Sequence, residues 1–407
     1  MKRVLTEIMF TQQPSQTYPA RTATFVFNFV HEFEITSTWR NLADTGKITL
    51  PKNVYVLNQN NKPVALLNTN TNMGGFGNGV PVFLRGDKVT IQCGYGYYQN
   101  SNDVSAKVTI FDGYISAVTS HKPIELEVMD NMYILQKTQA KVNEWAGYTV
   151  EEMLQGMINY AVLPFTVDTT TSTILQNFRT GNETIAKVLA RLKTDYNFEA
   201  YFRGAELRCG SFEYLPQDAG SPPYPTFKFQ QNIISDELNY VRVDDLVISE
   251  VASTVSDAET GEKTKDGQAK TKKQQLQVLV TFKDASLSPV YFVPKPGEAI
   301  PDNKEGERKQ GFFPQAKTIQ QLQNLAVKDL LKFYYQGLRG KFTTFGMPFI
   351  THGSRINILD PKLPERNGLY MVRGVKYTGG VNGLRQEIEL DYLVYRTDAN
   401  GNEITTV

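Results

Sequence analysis

From the N-terminus to about residue 130 the chain is a succession of short apolar runs, each broken within a few residues by Gly, Asn or Pro. "TATFVFNFVHEFEIT", "GKITLPKNVYVLN", "KVTIQCGYG", "AKVTIFDGYISAV" and "PIELEVMD" alternate apolar with polar or run continuously apolar. Their spacing of roughly 8–12 residues is the pattern of a sandwich or barrel. Helical periodicity is absent there. The pattern returns near residue 235 in "LNYVRVDDLVISEVAS" and "QQLQVLVTFK", and again between Gly340 and Tyr395.

Three segments have the other period. In "YTVEEMLQGMINYA", Val150, Met153, Leu154, Met157, Ile158 and Ala161 fall on one helical face, and Thr149 with Glu152 makes a capping box. In "TGNETIAKVLARLKTDYN", Ile185, Val188, Leu189, Leu192 and Tyr196 share a face, with Thr180 and Glu183 expected as the cap. "TIQQLQNLAVKDLLKFYYQ" follows a Pro- and Gly-punctuated loop from Pro289 to Pro314 and predicts a helix over 318–336. Its face is Ile319, Leu322, Ala326, Leu330 and Phe333, and its cap Thr318 with Gln321. The first two helices and the strands "FEAYFRG" and "ELRCGSF" form a small α+β unit. The charged stretch 253–273, without aromatic residues, reads as a solvated, mobile hairpin tip, with a projecting arm that orders on a partner as the alternative.

The two β regions echo one another. "GDKVTIQ" from Gly86, "GYISAV" from Gly113 and "IELEVMD" from Ile124 have counterparts, in the same order and phase, in "GSRINIL" from Gly353, "YMVRGV" from Tyr370 and "EIELDY" from Glu387. The echo places Gly86–Asp87 and Gly353–Ser354 in equivalent turns before a strand. Arg85-Gly86-Asp87 is then a turn that happens to spell an adhesion motif. "GYGYY" opens no helix and is followed by no Lys-Ser or Lys-Thr, so it holds no phosphate.

Charge and chemistry exclude several functions. Lys and Arg total 43 against 42 Asp and Glu, a formal +1 that lacks the positive footprint of sequence-independent DNA binding. No apolar run approaches the roughly 20 residues of a membrane span. Glu7 interrupts the short apolar stretch at the start, so no signal peptide is expected. Cys93 and Cys209 are far apart and read as small buried hydrophobes in a reducing compartment. His31, His121 and His352 lie singly and read as ordinary surface or strand histidines. The glycine-rich "NMGGFGNGV", Asn72 to Val80, reads as a flexible loop, and "NET" at Asn182 as the first turn of a helix. Asp244 and Asp245 have no supporting constellation. The sequence thus supplies no catalytic, cofactor-binding or metal residues, and no cofactor is expected.

The order "ITLPKN", "GDKVTI", "FDGYISAV", "IELEVMD", "LKTDYNFEAYFRGAELRCG", "GMPFITHGSRINILDP" and "TGGVNGLRQEIEL" resembles the baseplate hub family, the late-control protein D of contractile-tail phages and the hub portion of VgrG spike proteins. The resemblance spans nearly the whole chain, although each motif alone is turn glycines plus alternating strands. It implies a mainly β fold of two tube-like β-barrel domains with smaller α+β insertions. The expected division is a first barrel over 1–133, an α+β domain over 134–234, a second barrel over 235–395 carrying the charged hairpin and the 318–336 helix, and a tail over 396–407. The resemblance further implies a homotrimeric ring that adapts a sixfold tail tube to a threefold spike, without chemistry of its own. Its partners would be a tail tube protein and other baseplate proteins, with no specific nucleic acid and no membrane span, in the bacterial cytoplasm during assembly and in the baseplate when mature. The sequence departs from the VgrG pattern by stopping at Val407, so the spike is expected to be a separate chain. The residues alone leave open a carbohydrate- or protein-binding β module, to which 21 Tyr and 23 Phe would supply stacking surfaces, and an enzyme with an unrecognised site.

Overall fold

The alternating runs are strands, and among the described residues thirteen strands join in one sheet. The computed structural model describes residues 2–51, 55–57, 63–65, 81–97, 107–119, 123–169, 175, 178–196, 198–210, 222–242, 248–263, 269–282, 288–295, 297–302, 306–313, 316–331, 334, 337–398 and 400–403. The protein is mainly β, with smaller α+β units set into it. Among the described residues the large sheet runs in the order Ile233–Val241, Gly337–Phe345, Arg385–Arg396, Gly368–Gly380, Glu32–Thr38, Thr45–Thr49, Glu125–Met129, Val108–Val118, Lys88–Tyr97, Lys2–Thr11 and Thr24–Phe27. Thr226–Lys228 and Arg355–Leu359 lie off this path, next to each other and to Gly368–Gly380. The period-two pattern becomes alternate burial: along Glu32–Thr38, Phe33, Ile35 and Ser37 face inward while Glu32 and Thr36 face out. The inward side chains of both β regions form one continuous apolar core.

Within this sheet two sets of five strands follow the same order along the chain and the same antiparallel pairing. In the first set Lys88–Tyr97, Val108–Val118, Glu125–Met129, Thr45–Thr49 and Glu32–Thr38 pair in succession. In the second, Arg355–Leu359, Gly368–Gly380, Arg385–Arg396, Gly337–Phe345 and Ile233–Val241 do so. The registers correspond residue by residue. Lys88 lies opposite Tyr114, Ile115 opposite Val128, Leu126 opposite Ile48 and Gly46 opposite Ile35. In the second set Arg355 lies opposite Met371, Val372 opposite Leu390, Ile388 opposite Phe342 and Gly340 opposite Leu238.

The turns correspond as well. Gly86 has a φ of 97°, and its N–H donates to the Ile115 carbonyl at 2.8 Å while the Ile115 N–H donates back to the Asp87 carbonyl at 2.8 Å. Gly353 has a φ of 77°, donates to the Val372 carbonyl at 2.8 Å, and the Val372 N–H returns to the Ser354 carbonyl at 2.9 Å. Positive φ at both positions favours glycine. Lys47 Nζ meets Glu125 Oε2 at 2.7 Å across one strand pair, and Lys341 Nζ meets Glu387 Oε1 at 3.2 Å across its counterpart. The sets are joined edge to edge, because Glu32–Thr38 also pairs antiparallel with the second half of Gly368–Gly380, from Thr38 opposite Gly374 to Glu32 opposite Gly380.

Two other cores lie apart from this one. The helices α1 (Met132–Lys137), α2 (Val150–Tyr160) and α3 (Ile185–Tyr196) pack with a three-stranded sheet of Thr166–Thr169, Glu206–Gly210 and Glu199–Arg203. Val150, Met153, Leu154, Met157 and Ile158 of α2 and Ile185, Val188, Leu189 and Leu192 of α3 are buried there, as their spacing requires. The box at Thr149 is complete: its Oγ1 accepts from Glu152 N, and its own N–H donates to Glu152 Oε2 at 2.8 Å. Thr180 is not the cap of α3. It lies in the strand Arg179–Thr180, where its Oγ1 accepts from Trp145 Nε1 at 2.9 Å and donates to the Lys141 carbonyl at 2.6 Å. The buried indole N–H claims the hydroxyl that the sequence pattern assigned to the helix.

The third unit is a four-stranded sheet in the order Pro289–Phe292, Ala269–Phe282, Ile248–Lys263 and Glu307–Phe312, covered by α4 (Ile319–Leu331). Leu322, Ala326 and Leu330 of α4 close its core against Ile248, Ala252, Val278 and Val280. Thr318 Oγ1 accepts from Gln321 N at 3.2 Å, but the Gln321 side chain accepts from Lys317 N at 2.8 Å rather than from Thr318. Three expectations change here. "LNYVRVDDLVISEVAS" divides between two sheets, its first half at the edge of the large sheet and its second in this one. Strands Pro289–Phe292 and Glu307–Phe312 occupy the expected loop. The charged hairpin remains paired well beyond Ser253, with Glu259 opposite Thr271 and Lys263 opposite Ala269, so its strands run on through the stretch that the sequence suggested as the tip.

Candidate functional site

Two buried arrangements of titratable residues stand out, both structural in geometry. The first contains the Arg-Gly-Asp turn. Arg21 is buried, and all five guanidinium donors are used: Nε to the Pro81 carbonyl at 3.1 Å, Nη1 to the Gln13 carbonyl at 3.1 Å and Asp87 Oδ1 at 2.9 Å, Nη2 to the Val82 carbonyl at 3.0 Å and Asp87 Oδ2 at 2.5 Å. Asp87 also accepts from Leu84 N at 2.8 Å and Gln13 N at 3.0 Å. With 2% of its side chain exposed, Asp87 is not offered to an adhesion receptor.

The second arrangement is where the α2–α3 unit meets the large sheet. His352 is buried in the turn before Arg355–Leu359, with Arg203 Nη1 2.8 Å from its Nε2 and the Tyr201 ring edge-on at 4.8 Å. Arg203 also donates to the His352 carbonyl. Burial, with Arg203 and Arg208 nearby, holds the imidazole well below its usual 6.5, so it stays neutral. Asp44 Oδ1 lies 3.9 Å from His352 Nε2. Burial raises the Asp44 carboxyl from 3.8 to about 6, against the opposing pull of its bond from Ser37 Oγ at 2.6 Å and of the Arg203 charge. Asp130, which accepts from Asp44 N at 3.2 Å and from Met132 N at 3.0 Å, is raised by burial and by the Asp44 charge. Asn131 Nδ2 reaches the Gly204 carbonyl at 2.6 Å. The cluster ties the start of α1, the Gly204 turn and two turns of the sheet into one joint.

His352 is therefore not the ordinary strand histidine that the sequence suggested. Nothing local in "ITHGSR" announces Arg203, which lies 149 residues earlier. His31 is exposed, with its backbone bonded to Thr49 and Val381, whereas His121, Asp244, Asp245 and the Asn72–Val80 loop lie outside the described residues. Cys93 and Cys209 are buried free thiols, each pushed up to about 12 by burial. Among the described residues no group of three or more His, Cys, Asp or Glu is placed to hold a metal ion. No helix among them is long and apolar enough to cross a membrane.

What the fold does present is sheet edge. Among the described residues Ile233–Val241 pairs on one side only, with Gly337–Phe345, and Ile234, Ser235, Asp236, Glu237 and Asn239 are exposed. No family model matches the sequence, and no curated protein sequence does so. Solved structures do match. The tail protein from Neisseria meningitidis MC58 superposes with a TM-score of 0.56 at 12% identity, over 96% of this chain and 96% of that one. The tail protein of prophage MuSo2 from Shewanella oneidensis superposes with a TM-score of 0.56 at 9% identity, over 96% and 98%.

The chain has the fold of phage tail proteins.

Identities this low over nearly the full length of both chains place the likeness in the backbone fold rather than in particular side chains. That is the level at which the two strand sets within this chain also agree.

Proposed function

We propose that this protein is a structural baseplate hub component of a contractile tail or related injection machine. In this reading three copies form a ring around a channel. The supporting observation is the agreement of two five-strand sets within one chain of tail-protein fold, down to the paired turns at Gly86 and Gly353. Three chains with two such barrel-like sets each present six similar units, so one ring mates with a sixfold tube on one side and a threefold spike on the other. The domain division read from the sequence belongs to this proposal, with the third unit set between the first two strands of the second set.

The partners are then a second and third copy of the chain, a tail tube protein, a spike protein and other baseplate proteins. The ring assembles in the bacterial cytoplasm and resides in the baseplate. A formal charge of +1 suits a conduit, because a strongly positive lining would retain nucleic acid through counterion release. The role requires no reaction, cofactor or metal.

Particle mass and images of the full-length chain, alone and with the adjacent tube and spike proteins, test this reading. A threefold ring with an open channel is expected, with interfaces on the order of 2,000–5,000 Å². Failure to trimerise with both partners present, or a turnover abolished by one point mutation, overturns it.

A further inference from the structure

We infer that the exposed edge of Ile233–Val241 pairs with the second half of strand Val108–Val118 in the neighbouring copy, in a register fixed by the chain's own internal junction. The inference rests on the proposed ring and names the residues that close it.

The argument starts from that junction. Strand Gly368–Gly380 has its first half covered by Arg355–Leu359 and its second half, on the same flank, by Glu32–Thr38. The changeover comes directly after Val372, whose backbone is bonded to Gly353 and Ser354. In the first set, Val108–Val118 is covered by Lys88–Tyr97 as far as Tyr114, and the backbone of Ile115 is bonded to Gly86 and Asp87 in the same way. Beyond Ile115 this flank pairs with no strand among the described residues, whereas the opposite flank continues along Glu125–Met129. The position filled by Glu32–Thr38 in one set is therefore filled by no strand in the other among the described residues.

The counterpart of Glu32–Thr38 is Ile233–Val241, by the match of Ile35 opposite Gly46 with Leu238 opposite Gly340. It stands at the end of the large sheet. Among the described residues one chain thus carries a strand flank without a paired cover and a strand with one flank unpaired, and the internal junction shows how such a pair fits. They lie in different sets, as the two partners at the internal junction do, so one chain's strand meets the other set in its neighbour, a head-to-tail contact that closes into a ring at the threefold rotation of the proposed assembly. The register transfers directly. Thr38 opposite Gly374 becomes Val241 opposite Ala117, and Thr36 opposite Lys376 becomes Asn239 opposite Thr119. The bond from Thr119 N to the Glu125 carbonyl matches the pairing of Lys376 with Glu387, which fixes the count on this strand independently. A nine-residue exposed edge is a liability in a monomer, and a second copy of the chain relieves it.

Disulfide trapping tests this. Directly opposed residues hold their Cβ atoms about 4.5–5.5 Å apart, close enough for a bridge after small adjustment. In the full-length chain, Ala117→Cys with Val241→Cys is expected to yield covalent dimers and trimers on mild oxidation. Either single variant alone is expected to yield none, and a mixture of the two single variants to stop at dimers. Ala117→Cys with Asn239→Cys, displaced by two residues, serves as the register control. Trimers by native mass without the Ala117–Val241 bridge, or a stronger bridge in the displaced pair, overturn the edge pairing and leave the ring intact. Chains that keep the parent's circular dichroism and remain monomeric with tube and spike proteins present overturn both.

Discussion

Gly46 and Gly340 occupy matching positions in the two strand sets, and each lies against the backbone of a glutamate on the adjoining strand, Glu34 and Glu237. A Cβ at either position would run into that residue's carbonyl oxygen. Gly340 also has a φ of 116°, outside the comfortable range of L side chains. Gly340→Ala is expected to lower stability by about 2 kcal/mol or more, read as a lower urea midpoint with unchanged slope. Gly46→Ala should also destabilise, through the carbonyl contact. A neutral outcome at both would mean that the strands part without cost.

Asp87→Asn leaves the Arg21 guanidinium buried without its counter-charge while changing the shape of the side chain little. The expected loss is about 3–5 kcal/mol, because an uncompensated buried cation costs more than the pair contributes. Thermal unfolding of the variant checks it. A Tm within about 1 °C of the parent would show that backbone carbonyls alone hold Arg21.

The Asp44 carboxyl, raised by burial to about 6 from 3.8, binds a proton in the native state across an interval where the unfolded chain has released it. Its contribution to stability therefore falls as pH rises from about 4 to 6, by roughly 3 kcal/mol at most. Asp44→Asn removes this slope, so the variant should gain on the parent across that interval. His352 acts in the opposite direction. Its native form resists the proton that the unfolded chain takes up below 6.5, and the stability it gives is lost as pH falls through that value. Parallel urea titrations at pH 4, 5, 6 and 7 separate the two. Parallel curves for parent and Asp44→Asn would remove Asp44 from the pH response.

Thr180→Val withdraws the acceptor from the buried Trp145 indole and a donor from Lys141, at a cost of about 1–3 kcal/mol. Thr180→Ser should restore most of it. If Thr180 mattered only to the start of α3, Trp145 fluorescence would not move; a red shift in the Val variant is expected.

Much of this architecture is legible in the sequence because its cause is local. Alternation at Phe33, Ile35 and Ser37, helical spacing at Met153 and Met157, and the box at Thr149 each depend on neighbours a few residues away. Gly86 and Gly353 are readable as turns for the same reason. The short helix α1, only six residues, escaped because its apolar residues Met132, Tyr133 and Leu135 continue the strand-like run before it. Thr180 was misassigned because the competing indole is 35 residues away. The joint of His352, Arg203 and Asp44 was invisible because its members come from three segments far apart in the chain, and a single histidine without a ligand-spaced neighbour has no pattern to detect. The third unit's separate sheet was missed because strand alternation does not say which sheet a strand will join.

The pairing of Thr38 with Gly374 imposes an order on biogenesis. The ribosome releases Glu32–Thr38 early, yet its internal cover, Gly374–Gly380, emerges more than three hundred residues later, on the order of tens of seconds at synthesis rates of about 5–20 residues per second. Throughout that interval the nascent chain carries an uncovered strand bearing Phe33 and Ile35. On a polysome, where neighbouring copies are at different stages, the completed C-terminal strand of one chain can meet the waiting strand of the next. Fidelity then depends on the tether within each chain giving its own Gly374–Gly380 the higher local concentration, so synthesis spacing becomes part of how this sheet is made correctly.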